Sequence, residues 1–196
     1  MRPALRVLRQ EHDALSALLH TLVLMVAQAR ETHRPPDFGA LRAMLFYVDE
    51  FPEKRHHRKE SELLFPRLRA RTPLARELLD RLDEDHARGH ARIRDIEHAL
   101  TEYEMLGPAH AADFERALRR YVDFYRAHMA LEEDEILPLA ESCLTDEDWV
   151  HLDAELAGEP DPLTGRSADA EYEALFDRIL SLVPAPFGLG APAGQA

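Results

Sequence analysis

Leu5, Leu8, His12, Leu15, Leu19, Leu22, Val26 and Ala29 step by three and four along the N-terminal segment without a break. That spacing is the seam of a helix packed against other helices, and it sets His12 at a core position. A buried imidazole without a partner costs a few kcal/mol. Whatever this chain folds into must therefore bring a second polar group to meet His12.

The same seam recurs further on. The first run stops at His33-Arg34-Pro35-Pro36, where the prolines and the residue before them disfavour helix. A second helix is expected from about Asp37 to about Arg69, with Leu41, Leu45 and Val48 leading to His56 and Glu60, and with Pro52 causing a kink or local break. Thr72-Pro73 opens a third helix with a hydroxyl cap and proline at its first position. Its seam reads Leu79, Leu82, His86, His90, Ile93 and Leu100, ending near Gly107-Pro108. A fourth runs to about Glu141 through Phe114, Leu118, Tyr121, Tyr125, His128 and Leu131-Glu132. Four amphipathic helices with short connections predict an all-α antiparallel up-down four-helix bundle over residues 1–143. Residues 144–196 read as a C-terminal extension. It holds a short helix around Trp149, a loop at Gly158-Glu159-Pro160-Asp161-Pro162, a last helical pattern (Tyr172, Leu175, Phe176, Ile179, Leu180) and a disordered Pro/Gly/Ala tail. The extension is expected to cap the bundle or to serve an interface between chains, as in a homodimer.

An internal echo links the helices. His56-x-x-x-Glu60 is followed by Pro66, and His128-x-x-x-Glu132 by Pro138 at the same spacing. Leu8-Arg-Gln-Glu-His12 resembles Leu82-Asp-Glu-Asp-His86, each with an acid directly before a core histidine. A duplicated helix pair produces this pattern. Residues four apart share a helix face, so His56 with Glu60, His86 with His90 and His128 with Glu132 are three donor pairs, and His12 adds a seventh donor. In an up-down bundle all lie about 15–22 Å from one shared end at 1.5 Å per residue. A pair of cations at that layer relieves the burial cost: the glutamates bridge, and the imidazoles fill the outer positions. Neutral nitrogen donors suit iron, zinc, nickel or copper better than magnesium or calcium.

Composition removes other classes. The net charge is −13 with histidines neutral, which opposes nucleic-acid binding unless a basic patch concentrates. The Arg67–Arg71 stretch is short and sits where helix-end dipoles favour cations. Arg2, Arg6 and Arg9 before an apolar run ending at Ala27-Gln28-Ala29 imitate a signal peptide, but Glu11, His12 and Asp13 interrupt it. No membrane span of sufficient length is expected. Cys143 is the single cysteine, so neither a disulfide nor a Cys-based zinc site is available, and a reducing cytoplasm fits.

The ordered set His, His-x-x-x-Glu, His-x-x-x-His, His-x-x-x-Glu over about residues 5–141 resembles the hemerythrin family, specifically its bacterial branch of hemerythrin-like or HHE cation-binding domains. The resemblance implies His12, His56, Glu60, His86, His90, His128 and Glu132 as ligands of a non-haem di-iron centre. Glu60 and Glu132 would bridge two irons per chain, with zinc or manganese as substitutes. Five histidines for two irons imply one open position for O2 or NO. His57 competes with His56, Glu62 with Glu60 and Glu133 with Glu132. The chain departs from oxygen carriers of the family in having Glu132 four residues after His128 rather than Asp at five, in its Pro52 kink and in its extension. His20, His33, His98, His110 and His151 are expected to be structural, Tyr121 and Tyr125 packing aromatics, and Trp149 an anchor for the extension. No nucleophile, second cofactor motif or base stands outside the ligand set. The expected function is therefore reversible binding of a diatomic for sensing, delivery or scavenging rather than enzymatic turnover. Iron storage or donation for repair of damaged iron centres, and oxidation chemistry on O2, peroxide or NO, are the alternatives.

Overall fold

Some helix starts fall where a side chain satisfies the backbone. The computed structural model describes residues 2–157 and Ile179. These residues contain no strand, and the α-helices are α1 (Pro3–Thr32), α2 (Phe38–Val48), α3 (Phe65–Arg71), α4 (Arg76–Leu106), α5 (Ala111–Leu131), α6 (Leu137–Cys143) and α7 (Asp146–Ala157). Asp37 caps α2 by accepting from the Ala40 N–H at 2.9 Å, and Thr72 Oγ1 accepts from the Leu74 N–H at 3.2 Å ahead of α4. Gly107 ends α4 with φ 96°, a conformation that side chains resist.

The second and fourth helical stretches are not plain α-helix. Wide π turns occupy Asp49–His56, Lys59–Leu64 and Glu132–Ile136. Proline has no N–H to give to the preceding turn. Around each proline the ladder adapts by reaching back five residues: His57 N–H bonds to Pro52 O, Phe65 N–H to Glu60 O and Leu137 N–H to Glu132 O. The last two bonds are equivalent. The echo of Glu60 with Pro66 and Glu132 with Pro138 is thus a repeated backbone device, an α-to-π switch at each glutamate, and π turns of this kind are frequent at functional sites.

Two apolar cores flank a polar layer. One joins Leu15 to Val26 of α1 with α2, Ile93 to Leu100 of α4 and Phe114 to Met129 of α5. The other joins Ala4 to Leu8 of α1 with Leu64, Phe65, Leu79, Leu82, Ile136, Leu137 and α7. Between them lie buried His12, His56, His57, Glu60, His86, His128 and Glu132. Contrary to the sequence expectation, α1 does hold an 18-residue window long and apolar enough to cross a membrane, with mean hydropathy 1.2. In the fold its seam residues are buried among the other helices, and it carries His12 into the layer.

The start of the extension packs onto the bundle. Trp149, Leu152 and Leu156 of α7 are buried in the second core, Asp153 Oδ1 accepts from the Ala4 N–H at 2.8 Å, and Arg71 pairs with Asp148 at 2.8 Å. The expected loop at 158–162, most of the last helical pattern and the tail lie outside the described residues. From that pattern only Ile179 is described, helical and buried in the first core.

Candidate metal centre

The polar layer is built from the seams. On α1, α4 and α5 the alternation of three and four places His12, His86 and His128 at the same height as the two π-switched glutamates. His12 Nε2 and His56 Nε2 are 3.1 Å apart, and His86 Nε2 and His128 Nε2 are 3.2 Å apart. Glu60 Oε1 lies 3.3 Å from His56 Nε2 and its Oε2 3.5 Å from His86 Nε2. Glu132 mirrors it, with Oε2 3.2 Å from His12 Nε2 and Oε1 3.4 Å from His128 Nε2. Each carboxylate therefore faces both imidazole pairs. Two quartets result, His12–His56–Glu60–Glu132 and Glu60–His86–His128–Glu132, and His57 joins His86 and His128 in a third group; in each, the donor atoms lie within 4.8 Å of one another.

His90 is the residue the structure does not bring in. Its side chain is 45% exposed, and its Nδ1 lies 3.9 Å from Asp49 Oδ1. The physical reason is register: the true α4 seam runs Leu79, Leu82, His86, Gly89, Ile93 and Ile96, so His90 falls one step off it. His57 takes the fifth imidazole position, stacked on His86 with ring centroids 4.0 Å apart. Neighbouring helix residues point about 100° apart, so His56 and His57 are not alternatives: His56 reaches across to α1 and His57 toward α4 and α5. Glu62 is exposed. Glu133 does not replace Glu132; it binds the outer nitrogen of His12, Nδ1, at 2.9 Å. His20, His33, His98, His110 and His151 are absent from every one of these groups.

Outer partners hold the rings. His56 Nδ1 meets Glu11 Oε2 at 2.8 Å, and Lys59, buried beside it, donates to Glu11 Oε1 at 2.5 Å. Ser61 Oγ contacts His86 Nδ1 at 2.8 Å and Asp83 at 2.9 Å. Asp85 Oδ2 stands 3.8 Å from His128 Nδ1, an ion-pair distance rather than a hydrogen bond. Tyr121 and Tyr125 do more than pack: their hydroxyls donate to Glu53 Oε1 at 2.8 and 2.6 Å, and Tyr125 also contacts His57 Nε2 at 3.2 Å. Glu11, Glu53, Lys59 and Ser61 were not legible as site residues, because each looks like an ordinary charged or polar helix position.

Burial opposes charge on every imidazole, and the carboxylates decide where it is overcome. Burial would depress His12, but Glu132 and Glu133 outweigh it and push it up to about 9. Glu60 and Glu11 likewise outweigh burial at His56, and Glu132 and Asp85 at His128. At His86 and His57 burial wins. His86, next to His57, is brought down to about 3, and burial with the charges of His56 and His128 holds His57 well below the usual range. Glu132 is raised by burial and by Glu60, whereas at Glu60 the surrounding imidazoles overcome burial and lower it.

All four carboxylate oxygens of Glu60 and Glu132 are buried without a hydrogen-bond partner, and both residues are fully inaccessible. Two carboxylates facing each other among five imidazoles, with every oxygen unsatisfied, are an expensive arrangement for protein alone. The donor set fits cations of the iron and zinc type, so the residues present match the group such a layer would hold.

Fold and layer together define an all-helical protein with a histidine- and carboxylate-lined cation centre. The chain belongs to the hemerythrin HHE cation-binding domain family, whose model matches residues 4–140. It matches no curated protein and no solved structure.

Proposed function

We propose that the chain is a non-haem di-iron protein that binds O2 or a related diatomic reversibly. His12 and His56 would hold one iron and His57, His86 and His128 the other, with Glu60 and Glu132 shared between them. The observation that carries this is the set of four glutamate oxygens without a hydrogen-bond partner, one from each carboxylate facing the imidazoles of either side. Bound iron supplies the redox-active attachment point for the diatomic. The protein's own residues fix the rings from behind, neutralise the ions and exclude bulk water with an apolar core on either side. A two-to-three division of imidazoles leaves the His12–His56 side one donor short, which suits an added small ligand.

The helix arrangement we infer is the antiparallel up-down bundle. The start of α1 shares a core with the start of α4 and with α3 and α6, and its later half shares one with α2, the later part of α4 and α5. Residues 1–143 would form that bundle and α7 would open the extension. The histidine-rich shell favours binding over oxidation, because oxidase-type di-iron bundles are carboxylate-rich. The test is an anaerobic titration of reduced, iron-loaded protein with O2. A charge-transfer absorption that appears with O2 and disappears on degassing is expected; irreversible oxidation without such a band contradicts the reading.

A further inference from the structure

The wall beside the three-histidine side carries three donors outside the centre, Asp49, Glu53 and His90, that line up with its His57 and His86. The π-helical segment Asp49–His56 packs against α4. Asp49, Glu53 and His57, four apart, share one face of the first element, and His90, Gly89 and His86 stand opposite on the second. At the outside, half-exposed His90 lies 3.9 Å from Asp49 Oδ1. One step inward, the buried Glu53 carboxylate lies against Gly89 so closely that a Cβ there would stand 2.1 Å from Oε2. Innermost, His57 stacks on His86.

The middle position is the informative one. Glu53 is 2% exposed, and its Oε1 accepts from both Tyr121 and Tyr125. Its Oε2 has no hydrogen-bond partner, although His57 Nδ1 is 3.4 Å away. Anchoring the tyrosines needs only one of these oxygens. The other is a buried, unsatisfied cation ligand between a surface imidazole–carboxylate pair and the polar layer. Gly89 leaves it room, which explains a seam position with no side chain. At the mouth, Lys54 pairs with Asp49 Oδ2 at 2.7 Å and with Glu50, leaving Asp49 Oδ1 toward His90.

We propose that Asp49, His90 and Glu53 form the entry route by which a divalent cation reaches the centre, passing from the outer pair to the Glu53 carboxylate and then to His57. The proposal rests on the layer being a metal centre. It assigns a use to the histidine that the sequence pattern marks as a ligand and the fold places outside.

The test is the rate at which metal-free protein takes up cobalt(II), followed by its visible absorption in a stopped-flow instrument, with the final cobalt-to-chain ratio measured separately. The double variant Asp49→Asn/His90→Ala is expected to load roughly tenfold more slowly, the lower end of what focused charge contributes to on-rates, and to reach the wild-type ratio. Glu53→Gln is expected to be slower still. Glu102→Gln/His98→Ala removes the same kind of pair, 3.4 Å apart on the exposed surface of α4, and is expected to load at the wild-type rate. Wild-type loading by Asp49→Asn/His90→Ala, or equal slowing by the Glu102→Gln/His98→Ala control, overturns the route. A wild-type chain that takes up no cobalt overturns the metal centre itself, and the route with it.

Discussion

The two sides of the polar layer are held in opposite ways. On the α1 side, His12 and His56 are backed by carboxylates, Glu133 and the Glu11–Lys59 pair. On the α4 side, His57 and His86 are backed by hydroxyls of Tyr125 and Ser61 and by each other's ring faces. The first pair is therefore pushed toward imidazolium in the metal-free protein and the second toward neutral imidazole. The lesson is that similar donors can be stored in different protonation states a few ångströms apart. Cation binding must expel protons from the α1 side and from His128, whose Glu132 and Asp85 neighbours also favour its charged form.

The largest effect that would break this comparison is removal of what both sides share. Glu60→Ala with Glu132→Ala is expected to reduce bound iron from about two per chain, as in carboxylate di-iron bundles, to nearly none by elemental analysis.

Acidity comes next and separates the sides directly. His12 is raised to about 9, so its contribution to metal-free stability is present below its ordinary value of 6.5 and fades as pH rises through 9. His86 is lowered to about 3; its contribution is present above 6.5 and fades as pH falls toward 3. Between them the metal-free protein should be most stable near pH 6.5, and denaturant midpoints across pH check it. At pH 7, cation binding should release at least about one proton per chain, because metal ligation needs neutral imidazole. An indicator dye in weak buffer reads this, and the absence of release would show that the α1 side is not held protonated.

Smaller effects come from the backing groups. Glu11→Gln should weaken metal affinity by roughly 10–100-fold, the usual weight of such outer partners. Glu133→Gln, whose carboxylate is 40% exposed, should fall at the lower end of that range, about tenfold. Competition with a chelator of known affinity measures both, and a reversed order would mean that the Glu11–Lys59 pair does not position His56.

The fold was readable because its seams are regular. The alternation through Leu5, His12 and Leu19, or through Tyr121, His128 and Glu132, places side chains without knowledge of tertiary contacts, and the echo of glutamate and proline marks both backbone switches. Two things hid the rest of the site. Gly89 occupies a seam position with no side chain, so a four-residue step from His86 to His90 looks as good as the true three-residue step. The π turn around Pro52 lets consecutive His56 and His57 both enter the interior, whereas an unbroken α-helix invites a choice between them. Glu53 against Gly89 is invisible for the same reason: it is a contact between helices, and a single helix pattern carries no sign of it.

The most direct measurement is the iron-to-chain ratio of wild type, His57→Ala and His90→Ala after complete anaerobic loading. A layer completed by His57 predicts about two ions, as in a di-iron bundle, for wild type and for His90→Ala, and a lower ratio for His57→Ala once the loaded protein is dialysed against a chelator, since its side drops from three imidazoles to two. Full occupancy in His57→Ala with loss in His90→Ala, or a wild-type chain with no iron, would contradict the account.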